Sequence, residues 1–289
     1  MRAVGDAGTE VTTQQEDEGE PTRTMSRFRR WRAMEHVRAL AGRIGVRVRA
    51  TEGERRGARY IARRFRELGY EVATRRFSVD GARSRNVVAK WPGARRFGIV
   101  LGAHMDSVSG SPGANDNASG VAVLLEIARL ARATEQMSYL KLVAFGAEEY
   151  GEDGRHHVGS QVFVDRISSI GRRRLGGMVS VDMIADGRPL IIGTSGIGPD
   201  VLARILYRRL SRAGFNVKYR TMCDCSDNGP FERAGIPAAF MWSGYEPNYH
   251  DPSDTVPNMS PEDLERTGKA VRRFVKGVDQ DLLERLRRY

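Results

Sequence analysis

Hydrophobic positions along this chain follow two periods. Short apolar runs bounded by Gly, Pro, Asn or charged residues predict buried β-strands, whereas apolar residues that recur every three or four positions predict amphipathic helices. The predicted strands lie at residues 85–91, 97–104, 139–146, 178–185, 190–193 and 238–243. The predicted helices lie near residues 32–43, 51–69, 120–133 and 201–214, and in the C-terminal segment that begins at Pro261.

Strands that alternate with helices predict an α/β fold. Because these strands are apolar without strict alternation, we expect a largely parallel sheet that is covered by helices on both faces. The second helix has Thr51 as a candidate N-cap, with Glu54 three residues later as in a capping box, and Gly69 ends it.

The beginning of the chain differs in composition from the rest. Residues 1–24 are polar and acidic and have no periodic apolar positions, which predicts disorder. Met25 opens a basic stretch that leads into the first helix. We therefore predict a disordered acidic tail with a basic lead-in over residues 1–31, and a single folded domain over residues 32–289, in which we find no internal repeat or long linker.

The chain of 289 residues carries a formal charge of +11, and arginine supplies most of it. The arginines are scattered over nearly every predicted helix and loop, and they form no compact basic stripe. Such a charge allows weak attraction to nucleic acid, but it indicates no particular chemistry. An Arg-rich protein that binds nucleic acid or another partner, without catalysis, is therefore one alternative.

Targeting signals and cysteines give limited further information on the location and chemistry of the protein. The first residues lack the basic and apolar regions of a signal peptide, and no apolar run approaches the ~18 residues that a membrane helix needs. We therefore expect a cytoplasmic protein that does not span a membrane. Cys223 and Cys225 are separated by one residue, so that a bridge would strain the loop. Free thiols and a redox-sensitive loop are the alternatives.

Acidic and histidine side chains follow several predicted strands, where open α/β sheets bind ligands. Glu148 and Glu149 follow the apolar run YLKLVAF, and Asp182 interrupts the apolar run VSVDMIA. Buried carboxylates need a cation, a metal or dedicated donors. A helix cap for Asp116 and a salt bridge for Asp182 are alternatives, but two histidines with three carboxylates form a donor set that suits zinc. The candidates are His104, Asp106, Asp116, Glu148, Glu149, Asp182 and His250.

Six motifs in a fixed order carry a resemblance to a family. The motifs are HMD, PGANDNASG, AFGAEEYG, VDMI, SDNGPFERAGIP and YHDPSDT. Their order resembles the dinuclear zinc aminopeptidases of metallopeptidase family twenty-eight, over about residues 34 to 280 and without a protease-associated insert. The resemblance implies a three-layer sandwich, in which a mixed, mainly parallel sheet lies between helices, as in zinc exopeptidases.

The resemblance also implies a role for each candidate. His104 and Asp182 would hold one zinc ion, Glu149 and His250 would hold the other, and Asp116 would bridge both. The peptide after the bridging aspartate is often cis in this family. The two remaining candidates are Glu148 as the general base and Asp106 as the partner that orients His104. Tyr249, immediately before His250, matches a tyrosine that donates to the oxyanion in some members of the family, with packing as its alternative role.

The implied reaction is removal of an N-terminal residue, with an apolar preference, from peptides with a free N-terminus. A water activated by two zinc ions would attack the peptide, and cobalt or manganese could replace zinc. A glutamate carboxypeptidase-like or a glutaminyl cyclase-like activity is the alternative on the same fold. The sequence does not indicate an oligomeric state.

Two stretches depart from the family pattern. The common run GLxGS after the paired glutamates becomes GEDGRHHVGS, in which we interpret His156 and His157 as loop residues rather than metal ligands. The usual SDHxPF becomes SDNGPF, with Asn228 in the histidine position. These changes leave the predicted metal ligands intact and leave the substrate preference open.

Overall fold

The computed structural model describes residues 25–95, 97–244 and 246–289. In these ranges the strands are β1 (Glu71–Val79), β2 (Ala82–Lys90), β3 (Ile99–His104), β4 (Leu140–Phe145), β5 (Gly177–Val181), β6 (Leu190–Thr194), β7 (Val217–Thr221) and β8 (Ala238–Trp242). The α-helices are α1 (Arg30–Val37), α2 (Glu52–Glu67), α3 (Gly120–Ala131), α4 (Val158–Asp165), α5 (Ser169–Arg174), α6 (Val201–Arg212), α7 (Asn228–Arg233), α8 (Pro261–Val275) and α9 (Gln280–Leu286). Arg38–Ile44 continues α1 as a π-helical segment. Ala114–Ser119 leads into α3 and departs from helical geometry at Asp116 and Asn117.

All eight strands belong to one sheet, in the order β1-β2-β4-β3-β5-β8-β6-β7. The central strands β4, β3, β5 and β8 run parallel to one another. β2 pairs antiparallel with β4 on one side, and β6 pairs antiparallel with β8 on the other. The predicted α/β class and the mixed, mainly parallel sheet are therefore confirmed.

Helices cover both faces of this sheet. Because side chains alternate along a strand, β3 contributes to two cores. Leu101 packs in the larger core, with residues of α1, α2, α3, α6 and α8. Val100 faces the opposite side and packs in a smaller cluster with Val164 of α4 and Phe231 of α7. The result is a three-layer sandwich, as the family resemblance implied.

β1 and β7 were missed by the sequence prediction, and they form the two edges of the sheet. Most side chains of β1 are exposed or half-buried, and β7 has no fully buried residue. Edge strands commonly carry charged residues that discourage pairing with other chains. Neither strand therefore shows the apolar run from which the other strands were predicted.

The capping box predicted for α2 is wrong, although the helix starts where expected. Thr51 makes no side-chain cap. Glu54 instead accepts hydrogen bonds from the Ala50 backbone N–H at 3.0 Å, from Ser84 Oγ at 2.6 Å and from the Ala147 N–H at 3.2 Å. Burial raises the pKa of this carboxyl group to about 8. Glu54 thus ties α2 to β2 and to the segment that follows β4.

Arg47 is a fully buried cation that the sequence analysis did not identify. Burial lowers its pKa to about 10, so the guanidinium stays charged at neutral pH. It donates hydrogen bonds to backbone carbonyl oxygens from two segments, the end of the π-helical segment and the loop that follows β3. The acceptors are Leu40, Gly45, Met105, Pro112 and Gly113, at 2.6 to 3.2 Å.

Replacing Arg47 by methionine should lower the free energy of unfolding by about 3 to 5 kcal/mol, because several buried carbonyl groups would lose their donor. Urea denaturation of the metal-free protein measures this change. Arg43→Met, at an exposed position of the preceding helical segment, is the matched control and should change the free energy by less than about 0.5 kcal/mol. Equal midpoints for both variants would contradict the bracing role of Arg47.

The predicted tail, residues 1–24, lies outside the described residues, and the boundary at residue 31 stays a prediction. Within the lead-in, Met25 and Phe28 are buried in the larger core, and Arg272 of α8 donates to the Met25 carbonyl at 3.0 Å. Among the described helices, none has both the length and the apolar character required to cross a bilayer.

Candidate metal centre

The predicted ligands are positioned by the carboxyl ends of neighbouring parallel strands. β3 ends at His104, and Asp182 is the first residue beyond β5 rather than inside a strand as predicted. Glu148 and Glu149 follow β4 after a short turn, and His250 lies in the loop after β8. Since β4, β3, β5 and β8 are adjacent and parallel, their carboxyl ends lie side by side, and these residues meet there.

One group of donor atoms surrounds His104. Its Nε2 lies 3.0 Å from Asp116 Oδ1 and 3.2 Å from Asp182 Oδ1, and all three side chains are buried. Ser226 Oγ donates a hydrogen bond to Asp182 Oδ2 at 2.8 Å, which leaves Oδ1 directed at the histidine. Among the described residues, the partner of Asp182 is thus a histidine rather than an arginine.

A second group of donor atoms surrounds His250. Its Nε2 lies 3.1 Å from Glu149 Oε2 and 3.4 Å from Asp116 Oδ2. Asp116 therefore directs one carboxylate oxygen at each histidine. In each group the three candidate ligand atoms lie within 4.8 Å of one another. The structure brings together all five side chains that the sequence analysis predicted as metal ligands.

The loop before α3 holds Asp116 in this shared position. The Asp254 carboxylate accepts hydrogen bonds from the backbone N–H groups of Asn115 at 2.7 Å and Asp116 at 3.0 Å. The Asp116–Asn117 peptide is cis, as the resemblance implied. Asn117 Oδ1 accepts from the Gly120 N–H at 2.8 Å at the start of α3. Asn117 thus caps the helix, and Asp116 is left to face the two histidines.

Asp106 is fully buried beneath the paired glutamates. Its two oxygens accept hydrogen bonds from the backbone N–H groups of Glu148 and Glu149, each at 3.1 Å. Its distance to His104 Nδ1 is 3.7 Å, which is longer than a hydrogen bond. The prediction assigned Asp106 to orienting the imidazole, whereas its short contacts fix the backbone of both glutamates.

Glu148 lies next to both groups of donor atoms, because one of its oxygens lies within 4.8 Å of ligand atoms of His104 and Glu149, a third possible ligand group. Its Oε2 is 3.9 Å from His104 Nε2, and its Oε1 is 2.9 Å from His157 Nε2. His157 lies in the loop immediately before α4 and is not one of the five converging ligands, as interpreted, but its side chain is buried and contacts the candidate base. The only sequence signal was its departure from the GLxGS run.

Tyr249 lies beside His250 at the outer side of the site. The two rings stack, with centroids 3.7 Å apart and planes inclined by 23°. Tyr249 is 54% exposed, so its phenol is accessible from solvent. Burial of part of the ring and the nearby Asp116 carboxylate raise the pKa of this phenol, which therefore remains protonated at neutral pH.

The electrostatics of the site fit a bound divalent cation. Burial, together with the Asp116 carboxylate, raises the pKa of Glu149 to about 7. Burial also raises the pKa of Glu148 well above its usual value. Glu149 Oε1 is a buried oxygen without a hydrogen-bond partner among the described residues. A cation would compensate these buried carboxylates, and histidine nitrogens with carboxylate oxygens are donors that zinc accepts.

The motif SDNGPF contributes residues that the sequence analysis did not assign. Asp227 is fully buried, and this burial raises its pKa to about 7 against the opposing effect of His104. Asn228, in the position of the family histidine, donates to Ser195 Oγ at 3.0 Å and to Glu232 Oε1 at 2.8 Å. Asn228 therefore braces α7 and is not one of the five converging ligands.

Cys223 and Cys225 form a disulfide bond, although a strained bridge had been expected to disfavour it. The bridge encloses Asp224, whose Oδ1 lies 3.8 Å from His157 Nδ1. Asp224 also forms an ion pair with Arg233 of α7. The loop that carries the two cysteines thus contributes to the surroundings of His157.

Solved structures share this fold. The structure of BSAP, a zinc aminopeptidase from Bacillus subtilis, superposes with a TM-score of 0.80 over 90% of this chain and 97% of that chain, at 20% identity. A glutaminyl cyclase from Porphyromonas gingivalis superposes with a TM-score of 0.73 over 86% of this chain and 98% of that chain, at 22% identity. At such identities the likeness establishes the three-layer fold.

Sequence comparisons identify the family. Aminopeptidase YwaD of Bacillus subtilis is 33% identical over 183 residues, which cover 60% of this chain and 39% of that protein. The chain spans between 39% and 56% of the length of three such curated relatives. The pattern described as "Peptidase family M28" matches residues 86–275, about two thirds of the sequence. This chain therefore belongs to peptidase family M28.

Proposed function

We propose that this protein is a zinc-dependent aminopeptidase that removes an apolar residue from the free N-terminus of a peptide. One observation carries the proposal. Asp116 is shared by two groups of donor atoms, one around His104 and one around His250, and the carboxylate of Glu148 lies within 4.8 Å of a donor atom from each group, those of His104 and Glu149. Such an arrangement suits two adjacent cations and a separate base. The apolar preference follows the family resemblance.

Each donor group would hold one ion. His104, Asp116 and Asp182 would bind the first zinc ion, and Asp116, Glu149 and His250 would bind the second. Bound there, zinc would polarise the scissile carbonyl and lower the pKa of the attacking water. The same nitrogen and oxygen donors accept cobalt or manganese.

The chain's own groups would move the proton and hold the substrate. Glu148 would accept a proton from the water as its oxygen bonds to the peptide carbon, and would return that proton to the amine as the carbon–nitrogen bond breaks. The protonated phenol of Tyr249 would donate to the carbonyl oxygen as negative charge develops there. The surrounding carboxylates suit the positive charge of a free α-amine.

Hydrolysis of a panel of aminoacyl anilides tests this proposal. Zinc-loaded protein should release aniline from leucyl and other apolar aminoacyl anilides and should leave their N-acetylated counterparts intact. Dialysis against a chelator should abolish hydrolysis, and added zinc should restore it. The N-acetylated substrates are the matched control, because acetylation removes the free, charged amine and leaves the side chain and the anilide unchanged. Hydrolysis of blocked substrates alone would contradict an aminopeptidase.

Because the fold also matches a glutaminyl cyclase, the same assay should include substrates that test the alternative activities. A peptide with N-terminal glutamine would lose ammonia in a cyclase, which mass spectrometry detects, whereas the proposed enzyme releases the residue as a free amino acid. A peptide with C-terminal glutamate tests the carboxypeptidase alternative. Release from the carboxyl end would replace the proposed specificity while leaving the metal ligands unchanged.

A further inference from the structure

His157 is held against Glu148 by both its side chain and its backbone. The imidazole Nε2 lies 2.9 Å from Glu148 Oε1. The His157 N–H donates to the Glu148 carbonyl at 2.7 Å, and the Val158 N–H donates to the Ala147 carbonyl at 2.8 Å. These two backbone bonds fix the start of α4 relative to the paired glutamates. The contact therefore depends on local structure that is formed before a substrate binds.

The two carboxylate oxygens of Glu148 have different neighbours. Oε1 faces His157, whereas Oε2 faces His104 Nε2 at 3.9 Å, on the side of the donor groups. A general base must present one oxygen to the proton that it accepts. A donor that engages Oε1 would keep Oε2 in that orientation and would prevent rotation of the carboxylate.

The ring of His157 is itself enclosed by neighbouring side chains. His156 Nδ1 lies 3.0 Å from His157 Nε2, and Tyr150 stacks on His156 with ring centroids 4.3 Å apart. On the other side, Asp224 lies 3.8 Å from His157 Nδ1, between the two bridged cysteines. Because its surroundings restrict the imidazole, it can hold Glu148 in one position.

The contact is made by a neutral ring. Burial lowers the pKa of His157 to about 2, and neighbouring His156 and Arg233 act in the same direction. A neutral imidazole carries one N–H, and Glu148 must be ionised to act as a general base, a form in which it only accepts hydrogen bonds. A hydrogen bond between the two groups therefore requires the tautomer with its proton on Nε2, leaving Nδ1 without one. His156 Nδ1, at 3.0 Å from the same nitrogen, is then a second acceptor for this proton.

We propose that His157 is a positioning residue for the reaction proposed above: its Nε2–H holds Oε1 of Glu148 and thereby directs Oε2 at the place where the attacking water loses its proton. The proposal rests on the assignment of Glu148 as the general base. It gives a role to the polar stretch that distinguishes this chain from the family run after the paired glutamates.

A pair of substitutions of equal length separates positioning from packing. Glutamine retains an N–H donor near the position of Nε2, whereas methionine has a similar shape and no donor. His157→Met should lower kcat by about ten- to a hundred-fold with little change in KM. His157→Gln should recover a substantial part of that loss. Zinc content and the midpoint of thermal unfolding should be alike in the two variants.

Nuclear magnetic resonance tests the contact without enzyme activity. In zinc-loaded protein labelled with 15N at histidine, in which the cations keep Glu148 ionised, His157→Met identifies the His157 signals, which should show a proton on Nε2. Glu148→Ala should shift this Nε2–H resonance or move the proton to Nδ1. His36 is the internal control, because its Nδ1 lies 2.7 Å from the Tyr60 hydroxyl, away from the site. Its signals should not change.

Three results would overturn the positioning role. They are unchanged kcat in His157→Met, equal loss of kcat in the methionine and glutamine variants, and a His157 resonance that is insensitive to Glu148→Ala. Failure of the proposed function looks different. In that case the unsubstituted, zinc-loaded protein would hydrolyse no unblocked substrate, while the resonance measurement would still report whether the two side chains are coupled.

Discussion

Glu148→Gln is expected to lower kcat for aminoacyl anilides by about 10²- to 10⁴-fold, the usual contribution of general acid–base catalysis. Glutamine has the size of glutamate but cannot accept the proton. The backbone N–H of residue 148 would still donate to Asp106, as it does at 3.1 Å in this structure. Substrate binding depends on other groups, so KM should change little. The loss corresponds to about 3 to 5 kcal/mol of activation free energy.

Steady-state hydrolysis of leucyl anilide, with zinc measured on the same samples, tests this result. Zinc content should equal that of the unsubstituted protein, because Glu148 is not one of the five proposed ligands. Glu284→Gln makes the same chemical change at an exposed position of α9 and should leave kcat unchanged. Undiminished kcat in Glu148→Gln would show that another group takes the proton.

The metal centre could be predicted from the sequence because its signals are local. A carboxylate inside or directly after an apolar run, such as Asp182 after β5, contrasts with its neighbours. The carboxyl ends of adjacent parallel strands lie side by side, so that the meeting of His104 and Asp182 can be predicted without detailed knowledge of packing. The order of the motifs, through the family resemblance, then indicated which residues share each zinc ion.

The supporting contacts could not be predicted because their partners are distant in sequence or are backbone atoms. Arg47 binds carbonyl groups up to 66 residues away, and any arginine has the same local signature. Glu54 fits a capping box in the sequence, but Ser84 and the backbone near Glu148 compete for its carboxylate. The contact of His157 with Glu148 could be predicted only from the position of α4 in the folded protein. Tertiary contacts decided each of these cases.

Asp116→Asn is expected to abolish high-affinity binding of both zinc ions. Asp116 faces His104 with Oδ1 at 3.0 Å and His250 with Oδ2 at 3.4 Å, so its carboxylate serves both donor groups. Asparagine keeps the shape but removes the negative charge and presents an amide NH₂ to one histidine. Asp182→Asn should weaken binding of one ion only, because Asp182 contacts a single group. The two variants therefore predict different zinc stoichiometries.

Zinc titration combined with thermal or urea unfolding distinguishes these outcomes. An ion present at a hundred times its Kd stabilises a folded protein by about 2.7 kcal/mol for each site. The unsubstituted protein should gain this stabilisation from both zinc sites. Asp182→Asn should gain it from one site, and Asp116→Asn should gain it from neither. Asp251→Asn, an exposed aspartate next to His250, is the control and should behave like the unsubstituted protein. Retention of one tight site in Asp116→Asn would mean that the two ions do not share this carboxylate. The second group would then need another ligand beside Glu149 and His250.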